Sequence, residues 1–164
     1  MKKNKLKIAV CAAAAVIIFI AAVQLFTPGV IWLFTPKARP QDGVLDSVGA
    51  SEHITDVKPD EMKYLVNNNV VFETDGKKGN FMFENPEKSS YTLKFFVYEK
   101  IGDGKTENKI YESRFIEPGQ YLSGDKLRKK LSEGTHECTY IARAYINSEY
   151  QGETSGDMTV TVKS

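Results

Sequence analysis

YTLKFFVYE, residues 91–99, and KIYESRFIE, residues 109–117, decide the fold, because both are short, rich in aromatic and β-branched side chains, and alternate with a period of two. In the first run Leu93, Phe95 and Val97 share one face, and Lys94, Phe96 and Tyr98 share the other. In the second, Tyr111, Ser113 and Phe115 oppose Ile110, Glu112, Arg114 and Ile116. The polar stretch Gly102 to Asn108 between them predicts a hairpin loop. Both faces of each run carry apolar groups, so burying one leaves large side chains on the other. With Leu93, Phe95 and Val97 inward, Lys94, Phe96 and Tyr98 stand outside, joined by either Tyr111 and Phe115 or Ile110 and Ile116. Lys94, Phe96, Tyr98, Tyr111 and Phe115 are the candidate protein-binding surface, unless the tether or the segment Met62 to Val66 covers that face.

Outward from these runs the same alternation recurs. Val70 to Glu73 ends at the turn pair Asp75-Gly76, and NFMFE, residues 80–84, sets Phe81 and Phe83 opposite Met82 before Asn85-Pro86 stops it. Pro118-Gly119 marks another turn. DKLRKKLSEG, residues 125–134, predicts one helical turn, with an N-cap aspartate, Leu127 and Leu131 four apart, and a terminal glycine. Thr135 to Ile146 reads as a long strand with Cys138, Tyr140, Ala142, Ala144 and Ile146 on one face, and Met158, Val160 and Val162 as the closing strand. Six or so strands without βαβ alternation predict an all-β, antiparallel two-sheet sandwich over residues 62–164.

Ser132-Glu133-Gly134-Thr135-His136-Glu137-Cys138 resembles the immunoglobulin-superfamily stretch Asp-x-Gly-x-Tyr-x-Cys that leads into strand F. His136 stands at the corner tyrosine and Ser132 at the aspartate. The partner cysteine is replaced by Phe81, Met82 or Phe83, and no tryptophan follows it. The resemblance implies an immunoglobulin-like or fibronectin-like shape, similar to small modules of bacterial surface proteins and protease inhibitors, and carries no function with it.

Upstream, Ile8 to Phe26 holds nineteen residues without a charge, long enough as a helix to approach the roughly 30 Å of bilayer hydrocarbon. Lys2, Lys3, Lys5 and Lys7 precede it, which keeps that end cytoplasmic and sends the C-terminal part outside. Val23-Gln24-Leu25-Phe26 suits a signal peptidase poorly, so an uncleaved signal anchor is expected, with a secreted protein as the outcome of cleavage after Ala21 or Ala22. Val10 before Cys11 argues against lipidation there. Pro28 and Gly29 end the helix, and Trp32 suits the headgroup level, so residues 1–35 form basic start, transmembrane helix and interfacial segment. Residues 36–61 hold three prolines and no periodicity, which predicts a flexible tether reaching roughly 28 Å.

Charge and chemistry narrow the function. Six of the 22 basic residues precede residue 40, so the remaining 16 face 21 acids, a balance that disfavours nucleic-acid binding. Cys11 and Cys138 fall on opposite sides of the expected membrane, leaving no disulfide framework, in keeping with an exporting Gram-positive bacterium. His53 and His136 show no metal-ligand spacing. Gly104-Lys105-Thr106 lacks the earlier glycine of a phosphate loop, since Glu99 occupies that position. No catalytic residue, cofactor or metal site is expected. The chain reads as a membrane-anchored extracytoplasmic binding module, an adhesion or accessory subunit of a surface, secretion or conjugation assembly, whose partner is a protein or a cell-wall glycan. Alternatives are a protease inhibitor acting through Gly102 to Asn108, and a cell-wall-directed enzyme with an unrecognised carboxylate site.

Overall fold

Two β-sheets form the fold, and in the computed structural model residues 36–45, 57–58, 60–74, 76–102 and 106–164 are described. The alternation in residues 91–99 becomes strand β4, Thr92–Ile101, with Leu93, Phe95 and Val97 fully buried. It lies between β5, Thr106–Glu112, and β7, Gly134–Ile146, antiparallel to both. Beyond β7 come β8, Glu149–Val162, and β2, Asn69–Phe72, giving the order β2-β8-β7-β4-β5. The second sheet is short: β1, Gln41–Asp42, then β6, Gln120–Leu122, then β3, Phe83–Asn85. Phe83 of β3 stacks on Phe95 of β4 with centroids 4.1 Å apart, and Phe81 stacks on Tyr111 at the same distance. Those rings, with Val70, Phe72, Leu122, Cys138 and Val160, make the core.

Five expectations change. The sheet is not wholly antiparallel: β2 runs parallel to β8, Asn69 opposite Thr159 through Phe72 opposite Val162. The closing strand begins at Glu149 rather than Met158. Its first half, EYQGETSGD, has no apolar alternation, and it pairs because Asn147 and Ser148, at φ 50° and 69°, form a two-residue turn that returns the chain along β7.

No helical turn forms over residues 125–134. Asp125 is drawn into the interior instead, its backbone bridged to Gly79 and its carboxylate accepting from Tyr111 Oη at 3.2 Å and from Arg128 Nη2. The Arg128 amide donates to the Ile110 carbonyl at 2.8 Å, a partner outside the segment.

The tether is not free along its whole length. The unit that contains the sheets starts at Pro36. Ala38 N donates to Asp125 at 3.1 Å, Arg128 donates to the Pro36 carbonyl, β1 pairs with β6, and Leu45 N donates to the buried Glu84 carboxylate at 2.8 Å. Met62, Tyr64 and Val66 also pack on the core, on the inner face rather than over the outer one, with Tyr64 edge-on to Phe95 and Tyr140.

The second central run ends early and changes phase. A bulge sets Val97 opposite Tyr111 and Tyr98 opposite Lys109, so Ile110 and Tyr111 are both buried. The chain then leaves the ladder after Glu112 and rejoins β4 at Ile116, opposite Leu93. The anchor, the interfacial segment, Cys11, His53 and tether residues 46–56 lie outside the described residues.

Candidate binding face

The outer face of the five-stranded sheet is built on Phe96. Its neighbours across the ladder are Ile141 of β7 and Glu112 of β5. Three cations cover its ring: Arg143 with its guanidinium carbon 4.8 Å from the centroid, Lys94 at 5.3 Å and Lys109 at 5.8 Å. The ring is only 7% exposed for that reason. Lys94 also stands 5.2 Å from the ring of Phe115.

Glu112 holds the two lysines in place. Its carboxylate meets Lys37 at 2.7 Å, Lys94 at 2.8 Å and Lys109 at 2.9 Å. Partial burial works to raise its pKa, and the three ammonium donors outweigh that effect, leaving it at about 2. Arg143 is similarly fixed by Glu153 of β8 at 2.7 Å.

Beside this cluster an aromatic run reaches solvent. Phe115 meets Tyr145 edge-on at 5.1 Å, and Tyr145 meets Tyr150 at 6.0 Å. Phe115 is 43% exposed and Tyr150 56%. Of the five residues expected at the surface, Lys94, Phe96 and Phe115 therefore come together, and Tyr98 stands half-buried on the same face opposite Thr139. Tyr111 does not belong: the bulge turns it into the core, where it is fully buried and bonded to Asp125. Phe115 reaches the outside only because the backbone leaves the ladder between Tyr111 and itself. Lys37, Lys109, Glu112, Arg143, Tyr145 and Tyr150 complete the face without having been singled out. For Arg143 and Tyr145 the signal was present, since they alternate with Ala142 and Ala144 along β7.

A groove of about 590 Å³ opens where this face meets the leading segment. Its walls carry Lys37, Arg39, Lys94 and Arg114, with Ser113, Gln120 and Phe115 between them.

The other reactive-looking group is inert. His136 places Nδ1 2.8 Å from Glu99 and Nε2 3.0 Å from the Ser132 carbonyl, so neither ring nitrogen faces Cys138. The Cys138 thiol points at the His136 carbonyl, is 1% exposed, and burial followed by the Glu99 charge pushes its pKa up to about 12. Among the described residues no three His, Cys, Asp or Glu side chains converge as metal ligands. Comparison with protein-family models, curated proteins and solved structures gives no match for this chain.

Proposed function

We propose that the chain is a non-catalytic binding module, held at the outer side of a membrane by Ile8 to Phe26 as an uncleaved anchor, its two sheets forming an immunoglobulin-like sandwich. The partner is a protein subunit of a surface assembly, and it docks on the outer face of the five-stranded sheet. The observation that carries this reading is the run Phe115, Tyr145 and Tyr150, three rings in edge contact with two of them open to solvent. Aromatic groups on a rigid sheet are efficient contact anchors because they bury much area at little conformational cost.

The test uses the full chain in membranes of its source. Protease shaving of intact protoplasts reports the side on which residues 36–164 lie, and digestion only after lysis would reverse the topology. Co-purification after mild solubilisation, compared with Phe115→Ala and Tyr150→Ala, reports the face. A partner retained equally by wild type and both variants would place the contact elsewhere.

A further inference from the structure

The groove beside Phe115 gathers positive charge against the background of its own domain. Residues 36–164 carry 18 basic and 21 acidic side chains, yet four cations and no carboxylate form the groove wall. They come from three separate parts of the chain: Lys37 and Arg39 ahead of β1, Lys94 from β4, and Arg114 from the segment that leaves β5. The arrangement is held rather than loose. Lys37 and Lys94 are pinned by the same Glu112 oxygen, and Arg114 Nε donates to the Lys37 carbonyl at 3.2 Å. One carboxylate cannot neutralise both Lys37 and Lys94. Arg114 and Arg39 are both exposed residues on the groove wall.

Such a set suits a phosphate, whose oxygens accept two-pronged donation from guanidinium groups and whose charge the ammonium groups offset. The sequence then indicates where that phosphate resides. Lys37 follows Phe34 by three residues in the sequence, and the apolar stretch ending there is the one expected to meet the membrane.

We propose that the groove of Lys37, Arg39, Lys94 and Arg114 binds the phosphate of an anionic phospholipid headgroup. Clustered basic side chains near a bilayer gain from exactly this attraction, which salt screens within a Debye length. The inference rests on the membrane-anchored reading above and adds a second, lipid-specific contact to it.

The experiment reconstitutes the full chain into nanodiscs of phosphatidylcholine alone or of phosphatidylcholine with phosphatidylglycerol, and follows amide hydrogen exchange. Phosphatidylglycerol is expected to slow exchange several-fold in residues 37–42 and 113–115, with the difference removed by high salt and by the pair Arg39→Gln and Arg114→Gln. Both arginines are exposed, and unchanged exchange in β7 checks that the variant is folded. Equal protection in both lipids overturns the headgroup site while leaving the anchor intact. Equal protection by soluble polyphosphate over phosphatidylcholine discs would assign the groove to a soluble phosphate polymer and also overturn it. A chain that fails to insert refutes the anchor alone; its flotation with phosphatidylglycerol vesicles but not phosphatidylcholine vesicles would still support the groove, and flotation with neither would refute it.

Discussion

The Ala38 amide donates to the Asp125 carboxylate at 3.1 Å, which ties the leading segment to a buried group 87 residues further along the chain. The same carboxylate accepts from Tyr111 and Arg128, so one interior oxygen pair fastens three parts of the fold. Asp125→Ala withdraws the counter-charge from a buried guanidinium and is expected to cost about 3–5 kcal/mol. Chemical denaturation measures the loss. Exchange in residues 36–42 should rise beforehand, under native conditions, and a variant within 1 kcal/mol of wild type would show that the clamp is weak.

Phe96 and Tyr98 share a strand face but should behave differently. Phe96 lies under Lys94, Lys109 and Arg143, so Phe96→Ala removes the surface on which three cation stems rest and should cost about 1–3 kcal/mol. Tyr98→Ala, on the half-buried neighbour, should stay within about 0.5 kcal/mol. Thermal melts of the two variants side by side decide it, and equal losses would contradict the assignment.

Cys138 gives an alkaline signature. Its folded pKa of about 12 stands above the ordinary value of 9.0, so the unfolded chain releases this proton first. The stability it contributes is complete below pH 9 and falls as pH rises toward 12. Tyr64 and Tyr111, both raised by burial, steepen the same decline from about pH 10. Cys138→Ser should flatten part of the slope and cost about 1–3 kcal/mol at neutral pH by placing a hydroxyl among apolar groups. Labelling of the native thiol should be slow, and rapid modification at pH 8 would show it to be open.

Glu112 gives the acid counterpart. Its pKa is lowered from 4.5 to about 2, so the contribution is present above pH 4.5 and is lost as pH falls toward 2. Solvent reaches the site, and the effect is therefore about 1 kcal/mol rather than the full value of the shift. Glu112→Gln should remove that acid limb and release Lys37 and Lys94 from a common partner. Identical acid profiles for wild type and variant would show the carboxylate to be electrostatically idle.

A methyl group placed at Gly79 would run into the Phe72 ring. Phe72 is part of the core, so the ring has nowhere to retreat without moving Phe81. Gly79→Ala is expected to cost about 1–3 kcal/mol by denaturation, and a neutral result would mean that this corner of the core is loosely filled.

Sequence patterns revealed what side-chain alternation controls and concealed what polar interior groups control. Leu93, Phe95 and Val97, and Cys138, Tyr140, Ala142 and Ala144, announce buried faces by period alone and are buried, while Ile146, read on the same face, is exposed where the chain turns into β8. The first half of β8 has no such period; it is positioned by a tight turn in which Ser148 takes the conformation usually left to glycine. Residues 36–42 are fixed by Asp125, Arg128 and β6, partners far away in sequence. Asp125 itself resembled a helix cap because its destination was not visible locally. The candidate face was partly legible for a related reason: alternation located Lys94, Phe96 and Tyr98, but a single bulged residue reversed the phase and exchanged Tyr111 for its neighbours.

The parallel pairing of β2 with β8 fixes an order of events. Glu73 at the end of β2 reaches Lys163 ninety residues later, and Asn69 to Phe72 find no hydrogen-bonding strand until Thr159 to Val162 are available. The β7–β8 hairpin can close from local contacts, whereas β2 must wait for β8. A nascent chain emerging residue by residue thus carries β2 without its ladder partner until Thr159 to Val162 have been made. During synthesis this interval is the exposed moment, when a chaperone holding the early strands would matter most.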